Sequence, residues 1–181
     1  MILKGNKVIL RPIRIADAPR FVQWLENPKV RRFLSQTSYT LPQEQKWIRG
    51  LTKNKNEKIF ALDAVDGTHI GSIGLHINPR QQHRVAGFGI FIGDRRYWNQ
   101  GHGTDAMRII LIYAFSSLKL HRVELSVFPF NKRAIHVYKK FGFRLEGRKR
   151  ERLFVNGKFH DELEMGLLDR EWRARQRKTI K

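Results

Sequence analysis

Residues 84–119 read RVAGFGIFIGDRRYWNQGHGTDAMRIILIYAFSSLK. Val85, Phe88, Ile90, Phe91 and Ile92 are strand formers. Gly87, Gly89 and Gly93 interrupt them, as happens at a bulge or where another group approaches the backbone. Ala106, Ile109, Ile110 and Tyr113 then recur at helical spacing. Between strand and helix stands Gln100-Gly101-His102-Gly103-Thr104, a glycine-rich turn whose free N–H groups suit an anion. Taken alone, such a turn is equally a tight bend that needs positive φ. It is not the G-x-x-x-x-G-K-[ST] phosphate loop, and as G-x-G-x-x-G it has Ala106 in third place. The acidic residue that a dinucleotide fold places about twenty residues further on is represented only by Glu124, inside a strand.

At 181 residues the chain has the length of one domain with a proper core, and 41% apolar residues support a folded globule. No run reaches the length of a membrane span, and MILKGNKVILRP reads as a strand rather than a signal peptide. Cysteine is absent, which excludes disulfides, thiolate nucleophiles and Cys-ligated metal and agrees with a cytoplasmic location. The 36 basic against 16 acidic residues leave a formal charge of +20. Such a surface attracts polyanions: nucleic acid, ribosome, acidic protein or a phosphorylated cofactor. The cations are scattered, however, with no zinc-finger spacing, RNP-like aromatics or helix-turn-helix, and charge serving solubility is the plain alternative.

Outward from the central segment, residues 7–13 form a first strand. A helix follows with Asp17 as cap and Pro19 in its first turn, carrying Phe21, Trp24 and Leu25. After a linker at 38–40, Thr40-Leu41-Pro42-Gln43 is a capping box for a helix that turns Trp47, Ile48 and Leu51 inward. Strands at 58–64 and 68–77 join through Val65-Asp66-Gly67, a hairpin signal. The strand opening the quoted segment is the third of an antiparallel run. A helix at 104–117 crosses over to a parallel strand at 121–127. Asn131 caps the next helix, which carries Ile135 and Tyr138 and stops at Gly142. Strands at 143–153 and 158–167 close the chain across Asn156-Gly157. Residues 169–181, with six basic and two acidic residues, form either a helix docked by Trp172 or a solvated tail. The fold class is α/β, a mixed, mostly antiparallel central sheet of about seven strands with flanking helices.

With this order, three stretches resemble the GCN5-related N-acetyltransferase superfamily: VILRPIRIADAPRFVQWLENPKV, GIFIGDRRYWNQGHGTDAMRIILIYAF and NKRAIHVYKKFGFRLEGRKRERLFVNGKFHDELEMGLL. Within it, the chain resembles the branch of ribosomal-protein N-terminal and spermidine acetyltransferases. The resemblance implies an acyl-CoA N-acyltransferase fold, an acetyltransferase domain over 1–168 with a basic tail or short helix over 169–181, and acetyl-CoA as co-substrate. It implies a pyrophosphate loop at 98–103, with Trp98 standing where Gln or Arg is general. Phe91, Ile92, Trp98, Gly101, His102, Gly103, Thr104 and Asn131 are then the acetyl-CoA contacts, with exposed turn filler the plainer reading of His102. Tyr138, two turns from Asn131, becomes the acid that protonates the departing thiolate, against the plainer reading of a core tyrosine bonded to backbone.

The implied chemistry is direct attack of an amine on the thioester, aided by positioning and by an N–H of the glycine-interrupted strand at Phe88–Ile92. Glu124, Asp161 and Glu162 are base candidates. The acceptor expected from the charge is a protein N-terminus, on a ribosomal or ribosome-bound partner, with polyamines and other small amines as alternatives; a polyamine needs an acidic patch such as Glu146, Asp161 and Glu162. A non-catalytic RNA-associated module of the same fold is the remaining alternative, and weak RNA attraction through the basic surface accompanies either reading. No membrane partner is expected. Phe154 and Phe159 flank the last hairpin and either meet a second copy in a homodimer or pack on their own sheet.

Overall fold

The structure is a computed structural model that describes residues 1–34, 40–51, 53–155 and 157–179. In chain order the elements are β1 (Leu3–Lys4), β2 (Val8–Pro12), α1 (Ala18–Glu26), α2 (Pro28–Arg31), α3 (Leu41–Leu51), β3 (Glu57–Ala64), β4 (His69–Ile77), β5 (Val85–Ile92), α4 (His102–Ile112), β6 (Arg122–Val127), α5 (Lys132–Phe141), β7 (Arg144–Val155), β8 (Lys158–Leu168) and α6 (Asp169–Thr179). The strands form a mixed sheet in the order β1-β2-β3-β4-β5-β6-β8-β7. The eighth strand beyond the seven expected is β1, which turns through Gly5 to pair Leu3 with Leu10 and Lys4 with Ile9. The chain divides into two compact units, one of residues 1–76 and 89–112, the other of residues 77–88 and 113–181.

The first unit is an antiparallel meander, β1 to β2 to β3 to β4. Alternation places Val8, Leu10, Leu62, Ile70, Ile73 and Leu75 in its interior. Ala18, Phe21 and Trp24 of α1 and Ile48 of α3 make a second cluster, with Phe91 packed against it. Two glycines admit this packing. A Cβ on Gly71 would overlap the carbonyl oxygen of Phe91, and one on Gly93 would overlap the indole of Trp24. The sheet and its covering helix come this close because those side chains are absent.

The second unit contains the parallel crossover expected from the sequence, with Val85, Ala86 and Gly87 opposite Arg122, Val123 and Glu124. β8 pairs antiparallel with β6 and with β7, so β7 is an edge. Leu125 opposite Met165 and Val123 opposite Leu167 supply the core. Residues 169–179 are helical, and Trp172 stacks on Phe115 at 6.1 Å.

Several local expectations hold. Thr40 N–H donates to Gln43 Oε1 at 2.8 Å, one half of the capping box. Asn131 Oδ1 accepts from Ala134 N, and Gly142 closes α5 at φ 98°. Others are corrected. Asp17 does not cap α1; it accepts Arg14 N–H at 2.8 Å and both Arg11 Nη atoms at 2.8 Å. Trp47 is 42% exposed, and Glu44 takes the inward position beside Ile48. The helix expected to reach 117 ends at Ile112 and finishes in a π-helical turn, Tyr113–Ser117. Residues 38 and 39 of the linker and Asn156 of the last turn lie outside the described residues.

Gly71→Ala tests the close approach of β4 to β5. The methyl must displace backbone rather than a flexible side chain, so the expected loss is about 3 kcal/mol, at the upper end of overpacking costs. For a chain of this length that lowers Tm by roughly 6–12 °C. A calorimetric Tm within two degrees of the parent's, by rough allowance for scan error, would show that the strands move apart freely.

Candidate functional site

The glycine-rich turn lies in the first unit. Gly101 stands at φ 85°, a left-handed conformation that a side chain would strain, and Asn99 at φ 61°. The first hydrogen bond of α4 runs from Asp105 N to Gly101 O at 3.0 Å. The N–H groups of Gly101, His102, Gly103 and Thr104 therefore precede the helical ladder, and no backbone acceptor takes them among the described residues. Four unpaired donors at the positive end of an 11-residue helix suit an anion.

Its surroundings are built to hold this shape. Trp98 Nε1 donates to Ile92 O at 2.8 Å, tying the turn to the end of β5. The Trp98 side chain is thus a pin. A Cβ on Gly103 would touch Ile92 Cδ1 at 3.5 Å, so Ile92 backs the turn while Phe91 is spent on the core. Tyr97 gives its hydroxyl proton to Asp66 Oδ2 at 2.7 Å and meets the His102 ring edge-on at 5.1 Å. His102 is buried, against the expectation of an exposed filler, and its Nδ1 has no partner among the described residues. A buried orphan nitrogen beside four unpaired amides fits a phosphorylated group, so the turn passes the test for a coenzyme A pyrophosphate.

Two residues important to this turn escaped the sequence reading. Asp105 Oδ2 accepts the N–H groups of Lys7 at 2.8 Å and Val8 at 3.3 Å, and Arg108 pairs with Oδ1 at 3.0 Å. Burial works to raise the pKa of this carboxyl, but those hydrogen bonds outweigh it and hold the acid below the ordinary aspartate range. The stem of Lys7 runs beside the turn, its Cδ and Cε 3.7 Å from the place of a Gly101 Cβ. An acid in the first turn of a helix signals only dipole complementarity in a sequence. Its partners, nearly a hundred residues away, leave no local trace.

The second unit holds Asn131 and Tyr138. Asn131 uses its Oδ1 as the α5 cap. Tyr138 is buried between Phe88, ring centroids 6.1 Å apart, and Phe143, at 5.9 Å. Its hydroxyl has no hydrogen-bond partner among the described residues, so it is not the backbone-bonded core tyrosine of the plainer reading. Burial pushes its pKa up to about 12. Two of the acids considered as bases are engaged: Glu124 accepts from Arg122 Nε at 2.9 Å, and Asp161 accepts Glu151 N–H at 2.9 Å and pairs with Arg148. Glu162 stands opposite Lys149 in the β7–β8 register, but Lys149 Nζ pairs with Glu164. Glu146, named for an acidic patch, is held by Arg122 Nη1 at 2.8 Å.

Residues 7–144 match the description "Acetyltransferase (GNAT) domain", and the chain belongs to that family of acetyl-CoA-dependent N-acetyltransferases. A probable N-acetyltransferase of Bacillus subtilis, YjcK, is 31% identical over 178 residues, covering 92% of this chain and 97% of its own. The spermidine N(1)-acetyltransferase of Escherichia coli K12 is 29% identical over 172 residues, covering 94% of this chain and 90% of its own. In fold, the chain is similar to the crystal structure of spermidine N-acetyltransferase from Vibrio cholerae in complex with CoA and spermine. The TM-score is 0.85 at 24% identity, over 92% of this chain and 98% of that one. Among the described residues no cluster of side chains is arranged to hold a metal, and no helix is long and apolar enough to cross a membrane.

The buried phenol has a thermodynamic signature. Because the fold raises the Tyr138 pKa above its unfolded value of about 10, the native state holds the proton where the unfolded state has lost it. This contribution is constant below pH ~10 and lost as pH rises towards ~12. By pH ~11 the parent should therefore lose about 1 kcal/mol relative to Tyr138→Phe, compared with the same pair at pH ~8. Urea unfolding of both proteins at the two pH values measures it. Parallel pH dependences would mean that the hydroxyl is solvated.

Proposed function

We propose that the chain acetylates a small primary amine, with the turn at 98–104 holding the pyrophosphate of acetyl-CoA and Tyr138 serving the departing sulfur. The observation that carries the catalytic part is a phenol whose ring is buried while its hydroxyl has no protein partner among the described residues. The oxygen is not one of the buried atoms left unsatisfied, so it stays open to an acceptor that arrives with the substrate.

Bound acetyl-CoA supplies an acyl group activated as a thioester. The protein then needs no nucleophile of its own, in keeping with a chain that has no cysteine. Gly101, His102, Gly103 and Thr104 offer N–H groups to phosphate oxygens, and the side chain of His102 adds a ring nitrogen. Trp98 acts by fixing the turn. Phe91 and Ile92 contribute main chain, because their side chains are used in packing. Asn131 sets the start of α5 and so the direction in which Tyr138 projects two turns later. Tyr138 Oη keeps its proton throughout the working pH range, which makes it a donor to the sulfur as negative charge develops there.

For the acceptor, a small amine is better supported than the protein N-terminus expected from charge. The Escherichia coli relative named for spermidine matches over 94% of this chain. Against a strongly polycationic acceptor, Glu146 and Asp161 are already neutralised by arginines. The proposal is therefore the class of small primary amines rather than one polyamine.

Two measurements test these parts separately. With a good acceptor and saturating acetyl-CoA, Tyr138→Phe should lower kcat by roughly 100-fold or more while the Kd for acetyl-CoA changes less than about threefold. Unchanged turnover removes Tyr138 from the chemistry. In an acceptor panel of spermidine, free amino acids and a short peptide with a free N-terminus, kcat/KM should be at least about tenfold higher for a small amine than for the peptide. Preference for the peptide by that margin would restore the protein N-terminus as the acceptor.

A further inference from the structure

The edge of the sheet in the second unit carries a surface that acetyl transfer does not use. β7 is a 12-residue edge strand, exposed along nearly its whole length, with the sequence RLEGRKRERLFV. Five of those residues are cations and two are acids. At the strand rise this track spans roughly 35–40 Å. Near its base, cations are paired: Arg144 with Glu171 at 3.2 Å, Arg148 with Asp161 and Lys149 with Glu164 at 2.5 Å. Towards its tip, Arg150, Arg152 and Lys158 are exposed and enter no ion pair among the described residues.

The ladder between Lys149 opposite Glu162 and Leu153 opposite His160 is irregular. Residues 150–152 there face Asp161 alone. Glu151 stands at φ 50° and its N–H is taken by Asp161 Oδ1 at 2.9 Å. The bulge lifts Arg150 and Arg152 out of the regular pleat. Beyond it, Phe154 and Phe159 oppose each other at the tip, 64% and 63% exposed, with ring centroids 4.9 Å apart at 56°.

A bulged and basic edge repels a second strand, so pairing with another copy of this chain is disfavoured both by geometry and by like charge. Blocking the edge does not explain the tip, because a device against aggregation would not end in two exposed phenylalanines. Two phenyl rings are also only a small wedge for a lipid surface. Three unpaired cations on both strands of one hairpin, flanking open aromatic faces, suit a polyanion with stackable bases. We propose that the β7–β8 hairpin binds single-stranded RNA, with Arg150, Arg152 and Lys158 on phosphates and Phe154 and Phe159 stacking on bases. This differs from the diffuse attraction of a +20 surface in being confined to one hairpin.

The test uses the full chain and a fluorescent 12-nucleotide oligouridine, followed by anisotropy from low to physiological salt. Arg150→Ala, Arg152→Ala and Lys158→Ala combined should weaken binding by at least tenfold and flatten the log–log salt slope by about 2, three contacts at about 0.7 each for a single strand. Phe154→Ser with Phe159→Ser should weaken it roughly tenfold with the slope unchanged. The control combines Lys29→Ala, Lys53→Ala and Lys55→Ala, which removes the same charge from exposed positions of the other unit. It should cost twofold or less. Turnover of the best small amine should be unaltered in all three variants, which also reports that each is folded. Equal losses in the hairpin and control triples would overturn the proposal, since the attraction is then only net charge. So would hairpin-dependent sedimentation with phosphatidylglycerol vesicles without hairpin-dependent RNA binding, or a dimer in sedimentation velocity that the phenylalanine variant dissolves.

Discussion

The carboxylate of Asp105 fixes the part of the first unit on which the anion turn depends. It joins the first turn of α4 to the start of β2 through two backbone N–H groups, and Arg108 completes its coordination. Hydrogen bonds to an ionised group contribute about 1.5–3 kcal/mol each, more than neutral ones. A Cβ on Gly5 would overlap the same carboxylate, so the chain entering β2 lacks a side chain at that point. The consequence reaches past stability. Amide donors at a helix end bind an anion well only when they are held in advance, because ordering them on arrival consumes the affinity they provide. Asp105 orients the helix from the sheet side, and Trp98 ties the turn from the β5 side.

The same acids explain the charge of the molecule. Asp17 and Asp63 share Arg11, Asp94 holds Arg96, Asp161 holds Arg148, and Glu124 and Glu146 both hold Arg122. For Asp17, burial favours the neutral form, yet the bonds from Arg11 and the Arg14 backbone prevail and keep it ionised. With 16 acids largely committed to such pairs against 36 bases, the cations outnumber the acids that could neutralise them. The exposed pairs among these add little to stability. Their effect is on recognition: few free carboxylates remain to gather a polycation.

What the sequence made legible is what local chemistry decides. The G-x-G turn, the Asn131 cap, the Gly142 stop and the Asp66-Gly67 hairpin each follow from a residue's own conformational preference and its neighbours within four positions. Misreadings occurred where a distant partner competed. Asp17 before a proline-containing helix looks like a cap, but two guanidinium donors of Arg11 outbid the helix N–H groups. Trp47 fits an inward helical position by periodicity, yet α3 rotates so that Glu44 and Ile48 are covered. His102 reads as turn filler because burial of a turn residue depends on Tyr97, which is placed by its bond to Asp66 on another hairpin. The open hydroxyl of Tyr138 was equally beyond the sequence, since it depends on which groups are missing around it.

The two candidate parts of the site differ in burial. At the turn, Gly101 is exposed and Gly103 and Thr104 are half-buried, and the unpaired amide donors favour negative charge through their place at a helix N-terminus. At Tyr138, enclosure by Phe88 and Phe143 penalises the phenolate and keeps the proton on oxygen. A phenol pushed up to about 12 is a weaker acid than a thiol, so in the role proposed for Tyr138 outright proton delivery runs uphill. Its advantage lies elsewhere. In an apolar surrounding a neutral donor hydrogen-bonds to a developing anion more strongly than it does to a neutral thioester sulfur. The interaction therefore grows along the reaction coordinate, and only interactions of that kind raise kcat.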